Sequence, residues 1–278
     1  MRFAFRQVDV FTEQPLLGNP LAVVHDAGEL DATTMQSFAN WSNLSETTFL
    51  LRPTHPEADY RVRIFTPDRE LPFAGHPTLG SCHAWLQAGG VPRTDVVVQE
   101  CDAGLVRIRR DAGRLAFAAP PLLRSGPVAS DVRGRIVRGL GIQADAILHA
   151  QWIDNGPGWV AVMLATRAEV LALEPDYPAL SGLELGVVAP WDREIDGPDA
   201  AFEVRAFVPS MQREDPVTGS LNAGLAQWLI GAGLAPSRYV ARQGTALGRR
   251  GVIHVERDGE TTWVGGATVT CVAGSVTL

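Results

Sequence analysis

The chain has 278 residues, of which 46% are hydrophobic and 20% are charged, and its formal net charge is −7. This composition is typical of a globular protein near the size at which a core divides in two, and the negative charge argues against nucleic acid and anionic membranes as partners. All 24 basic residues are arginine, so chemistry that needs a lysine amine is excluded, including pyridoxal-phosphate catalysis and the phosphate-binding loop.

Two features bear on location. The amino-terminal segment, Met1–Gln7, has no long apolar core, so no signal peptide is expected. The three cysteines, Cys82, Cys101 and Cys271, form an odd and sparse set, which favours reduced thiols over a disulfide framework. We therefore expect a cytoplasmic protein.

Short apolar or alternating runs bounded by Gly, Pro and Asp predict strands through the first part of the chain. They lie at Phe3–Phe11, Leu21–His25, Thr47–Leu51, Tyr60–Phe65 and Val96–Glu100. A hairpin is predicted next, with strands at Val106–Arg109 and Leu115–Ala118 and a turn at Asp111-Ala112-Gly113.

The middle and last parts of the chain follow the same rules. Peripheral helices are predicted to begin at Asp31 and near Ser130, and the proline-rich segment Ala119–Pro127 is the best linker. Further strands are predicted near Trp152 and at Val160–Leu164, Leu185–Ala189, Phe202–Phe207, Val252–Glu256, Thr262–Gly265 and Val269–Val272.

Two segments of the chain resemble each other. Four residues recur after 142 positions, because Arg63, Phe65, Pro67 and Leu79 are followed by Arg205, Phe207, Pro209 and Leu221. Segments near Asn19 and Asn155, and near Gly104 and Gly251, resemble each other in the same order. Three ordered pairs make chance similarity improbable, so we predict one duplication that produces two similar lobes with a cleft between them.

Each duplicated segment runs into a stretch without charge. Leu71–Val91 and Val217–Pro236 contain no Asp, Glu or Arg, and a helix that is uncharged on every side is buried on every side. The predicted fold is therefore α+β, with two pseudo-symmetric lobes, each a mostly antiparallel, barrel-like sheet wrapped around a central helix. The predicted lobes span residues 1–120 and 128–269, and the strand near 270–278 can join the first lobe.

The starts of these two helices are candidate binding sites. Gly75, His76 and Pro77 open the first, and the segment from Asp215 to Ser220 opens the second. A helix start offers unpaired N–H groups and a positive dipole end to an anion, so two starts facing one cleft would hold a small carboxylate. The plainer interpretation is that His76 and Ser220 cap helices, but their recurrence at comparable points favours a functional role.

A third element supplies a candidate catalyst. Glu46 lies between a predicted helix and a predicted strand, and a glutamate there is usually a surface residue. A glutamate desolvated beside a cleft can instead serve as a general acid and base.

Together these motifs resemble the phenazine-biosynthesis PhzF-like family over essentially the whole chain. The resemblance rests on Val8–Thr12, Gly18–Val24, Asn43–Thr47, Phe65–Pro67, Ala74–Thr78 and Glu214–Ser220. It implies the fold of diaminopimelate epimerase, with two pseudo-symmetric lobes that each hold a central helix. It also implies a homodimer and isomerisation without a cofactor or metal.

The resemblance assigns roles to individual residues. In the family's characterised isomerase, the residue matching Glu46 moves a proton on trans-2,3-dihydro-3-hydroxyanthranilate, and the residues matching His76, Asp215 and Ser220 bind and polarise this substrate. Flanking positions at the helix starts are predicted to bind the substrate as well; they are Gly75, Thr78, Thr218 and Gly219.

Two alternatives stay open. The related epimerases use one cysteine at each helix start, whereas the comparable positions here are interpreted as Ala74 and Pro216. An amino-acid epimerase or racemase would therefore need a second base in place of the missing thiols. A protein that binds a small carboxylate without turnover is the other alternative.

The segment Gly139–Ala144 follows a predicted helix and not a strand, so it is not interpreted as a dinucleotide site.

Overall fold

The computed structural model describes residues 1–111 and 113–278; Ala112, in the predicted hairpin turn, lies outside the described residues. The fold mixes α and β structure. The chain divides into two compact units: unit 1 comprises Met1–Ala118 and Gly265–Leu278, and unit 2 comprises Ala119–Val264. In the described part of the chain, no helix has both the length and the apolar character needed to cross a bilayer.

The helices are α1 (Ala32–Ser42), α2 (Gly75–Gln87), α3 (Ser130–Leu140), α4 (Arg167–Leu171) and α5 (Gly219–Gly231). The strands are β1 (Arg2–Val10), β2 (Asn19–Val24), β3 (Glu46–Leu51), β4 (Tyr60–Phe65), β5 (Glu70–Leu71), β6 (Val96–Cys101), β7 (Gly104–Asp111), β8 (Arg114–Ala118), β9 (Arg124–Pro127), β10 (His149–Asp154), β11 (Trp159–Met163), β12 (Glu184–Pro190), β13 (Phe202–Val208), β14 (Arg213–Asp215), β15 (Arg238–Gln243), β16 (Gly251–Asp258), β17 (Thr261–Gly266) and β18 (Thr268–Thr277).

Unit 1 packs its strands against α2. Strand β1 is antiparallel to both β2 and β18, β2 is parallel to β3, and β3 is antiparallel to β4. Helix α2 contacts β1, β2, β3, β6, β8 and β18, and Leu79, Cys82 and Ala84 are fully buried. A Cβ atom at Gly80 would lie 2.5 Å from the side chain of Leu21 and 3.0 Å from those of Val8 and Val10, so the side chains of β1 and β2 pack closely against the helix at this position.

Unit 2 holds α5 in a comparable way. Helix α5 contacts β10 and β11, and a Cβ atom at Gly224 would lie 2.5 Å from the backbone oxygen of Ile153 in β10. Helices α3 and α4 contribute to a separate apolar cluster, in which Ile136, Leu140 and Val170 pack with residues of strands β10 to β13. Within unit 2, the charge-free stretch 217–236 thus contains the buried helix α5, and the charged helix α3 lies at the periphery.

The same local arrangement precedes the buried helix in each unit. Arg63 of β4 forms two 2.6 Å hydrogen bonds with Glu70 of β5, and Arg205 of β13 pairs with Glu214 of β14 at 2.7 to 3.2 Å. Phe65 lies opposite Glu70, as Phe207 lies opposite Glu214. Each helix begins five residues after its glutamate, at Gly75 and Gly219.

This arrangement corrects the register assigned from the sequence. The connection from Phe65 to Glu70 has four residues (66–69), whereas that from Phe207 to Glu214 has six (208–213). The offset of 142 between the strands therefore becomes 144 between the helices. Leu79 consequently does not correspond to Leu221, and the helix-capping positions that correspond are Ala74 and Thr218, not Ala74 and Pro216.

Most predicted elements are present, and the exceptions have local causes. Asp31 caps α1 by accepting a 2.8 Å hydrogen bond from the Thr34 N–H group, as predicted. The predicted linker Ala119–Pro127 ends in a strand, β9, which pairs with β10. Strand β15 was not predicted because arginines interrupt its alternation, and α4 was not predicted because it has only five residues.

Candidate active site

The first part of the candidate site is a cluster in unit 1 around His76, called here the His76 cluster. His76 is the second residue of α2, and its side chain is 4% exposed. Its Nε2 atom lies 3.5 Å from Oε2 of Glu46, the first residue of β3, whose side chain is 16% exposed. The first turn of α2 and the first residue of β3 thus bring together two residues that are 30 positions apart in the sequence.

The imidazole in this cluster is neutral. Burial lowers the pKa of His76 to about 3, against the weaker opposing effect of a hydrogen bond with the Pro20 backbone. The contact with Glu46 therefore joins a carboxyl group to a neutral ring and is not an ion pair at ordinary pH. A neutral imidazole ring can donate or accept a hydrogen bond with a carboxyl group or a substrate without carrying a charge itself.

Asn19 supports the ring from its other side. Its side chain is fully buried, and its Nδ2 atom lies 3.3 Å from Nδ1 of His76. Asn155, which the internal repeat matched to Asn19, donates from Nδ2 to the backbone oxygen of Ser220 at 2.9 Å. Each asparagine therefore contacts the second residue of the buried helix in its own unit.

The second part of the candidate site lies in unit 2 around Ser220 and is called the Ser220 cluster. Ser220 is the second residue of α5 and is buried, and its Oγ atom accepts a 2.9 Å hydrogen bond from Nε1 of Trp159. An indole nitrogen can only donate, so the Ser220 hydroxyl keeps its own proton for another acceptor. Asp215, at the end of β14, accepts a 2.5 Å hydrogen bond from the Thr218 hydroxyl at Oδ2.

The start of each helix supplies backbone donors. Thr78 N–H is the first in α2 to reach a carbonyl of the preceding turn, that of Ala74, and Asn222 N–H is the first in α5, reaching Thr218. The N–H groups of Gly75, His76, Gly219 and Ser220 precede these bonds and have no intrahelical acceptor. With the positive end of the helix dipole, they can hold an anionic group.

The structure thus brings Glu46 together with His76 in one cluster, and Asp215 and Thr218 into the other with Ser220. Gly75 and Gly219 are the first residues of their helices. Thr78 is fully buried, and its hydroxyl donates to the Ala74 carbonyl at 2.9 Å while it accepts from Gln99 at 3.0 Å. Its hydroxyl is therefore committed inside unit 1.

Sequence analysis did not identify Gln99, Trp159 or Gln243, although each contacts one of the predicted site residues. Trp159 lies in the segment that resembles the one after Asn19, so the repeat contained a signal for it. The two glutamines carry a subtler signal: Gln99 follows Gly75 by 24 residues and Gln243 follows Gly219 by 24 residues.

Neither helix start carries a thiol. The corresponding capping positions are occupied by Ala74 and Thr218. Cys82 lies fully buried within α2, and burial raises the pKa of its thiol to about 12, so it carries no thiolate at ordinary pH. The chemistry of a cysteine pair is therefore absent from the two helix starts.

The chain is similar to known proteins over nearly its whole length. The sequence model of the phenazine biosynthesis-like protein family matches residues 8–274. The trans-2,3-dihydro-3-hydroxyanthranilate isomerase of Pseudomonas chlororaphis is 33% identical, with 98% of each chain covered. The "antisense-enhancing sequence 1" protein of Schizosaccharomyces pombe is 35% identical, covering 98% of this chain and 97% of the other.

The fold gives the same result. The crystal structure of a phenazine biosynthesis protein of the PhzF family from Enterococcus faecalis superposes with a TM-score of 0.82 at 26% identity, with both chains fully covered. The match of the family model over nearly the whole length, together with these relatives, identifies the chain as a member of the phenazine biosynthesis-like protein family.

Proposed function

We propose that the protein is an isomerase that needs no cofactor and moves a proton on a small carboxylate similar to trans-2,3-dihydro-3-hydroxyanthranilate. Glu46 is the acid and base: it takes a proton from one carbon and returns it to another, so the composition of the substrate is unchanged. The observation that carries the proposal is the 3.5 Å contact between Glu46 and the buried, neutral His76. The relative named for this reaction supports the choice of substrate class.

The remaining residues bind and polarise the substrate in this proposal. His76 hydrogen-bonds to the reacting region without adding charge, and the Ser220 hydroxyl, which accepts from Trp159, donates a hydrogen bond to the substrate. Asp215 accepts hydrogen bonds, while Gly75, Thr218 and Gly219 form the helix starts that hold the carboxylate. Thr78 supports its helix start from within.

The proposal assigns substrate-binding residues to both units, as the family resemblance implies. It includes the expected pseudo-symmetry of two lobes, each with a barrel-like sheet around its buried helix. The recurrence of the arginine–glutamate pair before both helices supports that symmetry. A homodimer, which the family resemblance implies, and a cytoplasmic location, which the sparse cysteines favour, remain part of the proposal.

The test is solvent deuterium incorporation into trans-2,3-dihydro-3-hydroxyanthranilate and its product in D₂O. We expect the unaltered protein to catalyse incorporation, and Glu46→Gln to reduce the rate by about 10²–10⁴-fold, the usual value of general acid–base catalysis. Glu57→Gln is the matched control, because Glu57 is an exposed residue of the same unit. Normal turnover by Glu46→Gln would remove Glu46 from the mechanism.

Product analysis and a binding measurement, together with the deuterium assay, separate the alternatives. Inversion of a stereocentre without migration of a double bond would favour an epimerase or racemase. Binding of 3-hydroxyanthranilate, a stable aromatic probe with the same functional groups, without deuterium incorporation into any substrate of a varied carboxylate panel would favour a protein without turnover.

A further inference from the structure

A buried glutamine is bonded to the start of α5. Gln243 is the last residue of β15 and is fully buried. Its Oε1 atom accepts from Thr218 N–H at 3.0 Å and from Asn222 Nδ2 at 2.8 Å. Its Nε2 atom donates to the Asp215 carbonyl at 3.1 Å and to the Thr218 hydroxyl at 2.9 Å. All four hydrogen bonds that the amide can make are directed to residues 215–222.

The orientation of this amide follows from its partners. Thr218 N–H can only donate, so the Gln243 atom that faces it is the oxygen, and the nitrogen faces the Thr218 hydroxyl. Because that nitrogen only donates, the hydroxyl must accept from it and direct its own proton elsewhere. The hydroxyl donates to Oδ2 of Asp215 at 2.5 Å, so Asp215 is an acceptor at this oxygen.

The engagement of Thr218 N–H also decides which backbone donors remain for a ligand. With Thr218 N–H bonded to Gln243, the donors without an intrahelical acceptor at the start of α5 begin at Gly219 and Ser220. Gln243 therefore determines which backbone N–H groups at the start of α5 stay available to a ligand, and it fixes Asp215 as a hydrogen-bond acceptor.

Unit 1 contains a similar buried glutamine, Gln99, but within the described residues no carboxylate equivalent to that of Asp215 takes part in its hydrogen bonds. Gln99 is fully buried, donates to the Thr78 hydroxyl at 3.0 Å and accepts from the Tyr60 hydroxyl at 2.9 Å. Thr78 in turn donates to the Ala74 carbonyl, a backbone group of the helix start. A glutamine from a strand thus braces the first turn of the buried helix in each unit.

We propose that Gln243 is a positioning residue, which acts through Thr218 to hold Asp215 as an acceptor and to present the Gly219 and Ser220 N–H groups to the substrate. The role of this segment in turnover rests on the proposed function. The brace itself does not, because it is a statement about the order of residues 215–222 and can be measured without a substrate.

Hydrogen exchange of the backbone amides tests the brace directly. In Gln243→Met, which keeps the apolar stem and removes all four hydrogen bonds, exchange at residues 218–222 should rise by about tenfold or more, while the strands of unit 2 keep their protection. Gln227→Met is the control. Gln227 lies in α5 itself but donates a 2.8 Å hydrogen bond to the Pro120 carbonyl, away from residues 215–222, so this substitution should leave exchange at 218–222 unchanged. Gln99→Met should raise exchange at residues 75–79 and leave 218–222 unchanged.

A second variant covers the possibility that Gln243→Met does not fold. Gln243→Glu keeps acceptor oxygens for Thr218 N–H and Asn222 but loses both donors, so the Thr218 hydroxyl is no longer directed at Asp215. It should preserve the protection of the Thr218 amide and lower kcat of the isomerisation by about tenfold, and Gln243→Asn should not restore the rate. The free energy of unfolding should fall as well, because the new carboxylate is buried and none of the four groups bonded to Gln243 carries a positive charge.

Unchanged exchange at 218–222 in Gln243→Met, or a uniform rise across unit 2, would overturn the proposal, as would normal kcat in Gln243→Glu. Localised exchange in Gln243→Met without any turnover by the unaltered protein would instead uphold the brace and count against the proposed function.

Discussion

The neutral state of His76 predicts a specific loss of stability in acid. The perturbation is His76→Asn, which keeps a polar side chain but cannot bind a proton. Burial lowers the pKa of His76 from 6.5 to about 3, so between these values the unfolded chain binds a proton that the folded protein refuses. The histidine therefore reduces stability progressively as the pH falls through this window, and the full stability is present above the unfolded-state pKa.

The size of the effect follows from the two pKa values. Relative to high pH, the reduction from this one group is about 0.8 kcal/mol at pH 6 and about 3.4 kcal/mol at pH 4. The free energy of unfolding of the unaltered protein should therefore fall by about 2.5 kcal/mol more than that of His76→Asn between these pH values.

Urea unfolding followed by tryptophan fluorescence at pH 6, 5 and 4 measures this difference. Burial also lowers the pKa of His25, to about 4, but that residue is present in both proteins, so its contribution cancels in the difference. Parallel pH dependence of the two proteins would mean that His76 titrates normally in the folded state and is not the neutral partner of Glu46.

Two further pairs of substitutions test the packing of unit 2. Gly224→Ala places a methyl group 2.5 Å from a backbone oxygen of β10 and should reduce the free energy of unfolding by about 1–3 kcal/mol, whereas Gly231→Ala, with open space in the same helix, should be neutral or stabilise by up to about 1 kcal/mol. Arg205→Met leaves Glu214 buried without its partner and should cost about 3–5 kcal/mol, but Arg238→Met, at an exposed ion pair, should cost no more than about 1 kcal/mol. Denaturant midpoints measure all four; equal effects within either pair would contradict the packing described.

The two buried helices could be predicted because their signal is local. The absence of charge from 71–91 and from 217–236 reports directly on burial, and the contacts of α2 and α5 agree with it. Short elements are different: β5 has two residues and β14 has three, and each pairs with the preceding strand beside an arginine–glutamate contact. Composition within such short windows does not reveal a pairing across a turn.

The residues of the candidate site were proposed from the sequence, whereas their contacts could not be. The motif containing Glu46 and the motif containing His76 were both identified, but spacing alone does not give the 3.5 Å contact between them or the burial that keeps the ring neutral. The alignment of the two helix starts was wrong by two residues because the turn before α5 is longer. Gln243 escaped notice since its partners are defined only once β15 lies beside the start of α5.

The most direct measurement of the proposed chemistry is a crystal structure of the protein with 3-hydroxyanthranilate bound. Its carboxylate should be hydrogen-bonded to N–H groups at a helix start, and a ring carbon should lie within reach of the Glu46 carboxyl group. A probe bound away from the His76 cluster, or one that binds with Glu46 turned away from its ring, would contradict the assignment of Glu46 as the residue that moves the proton.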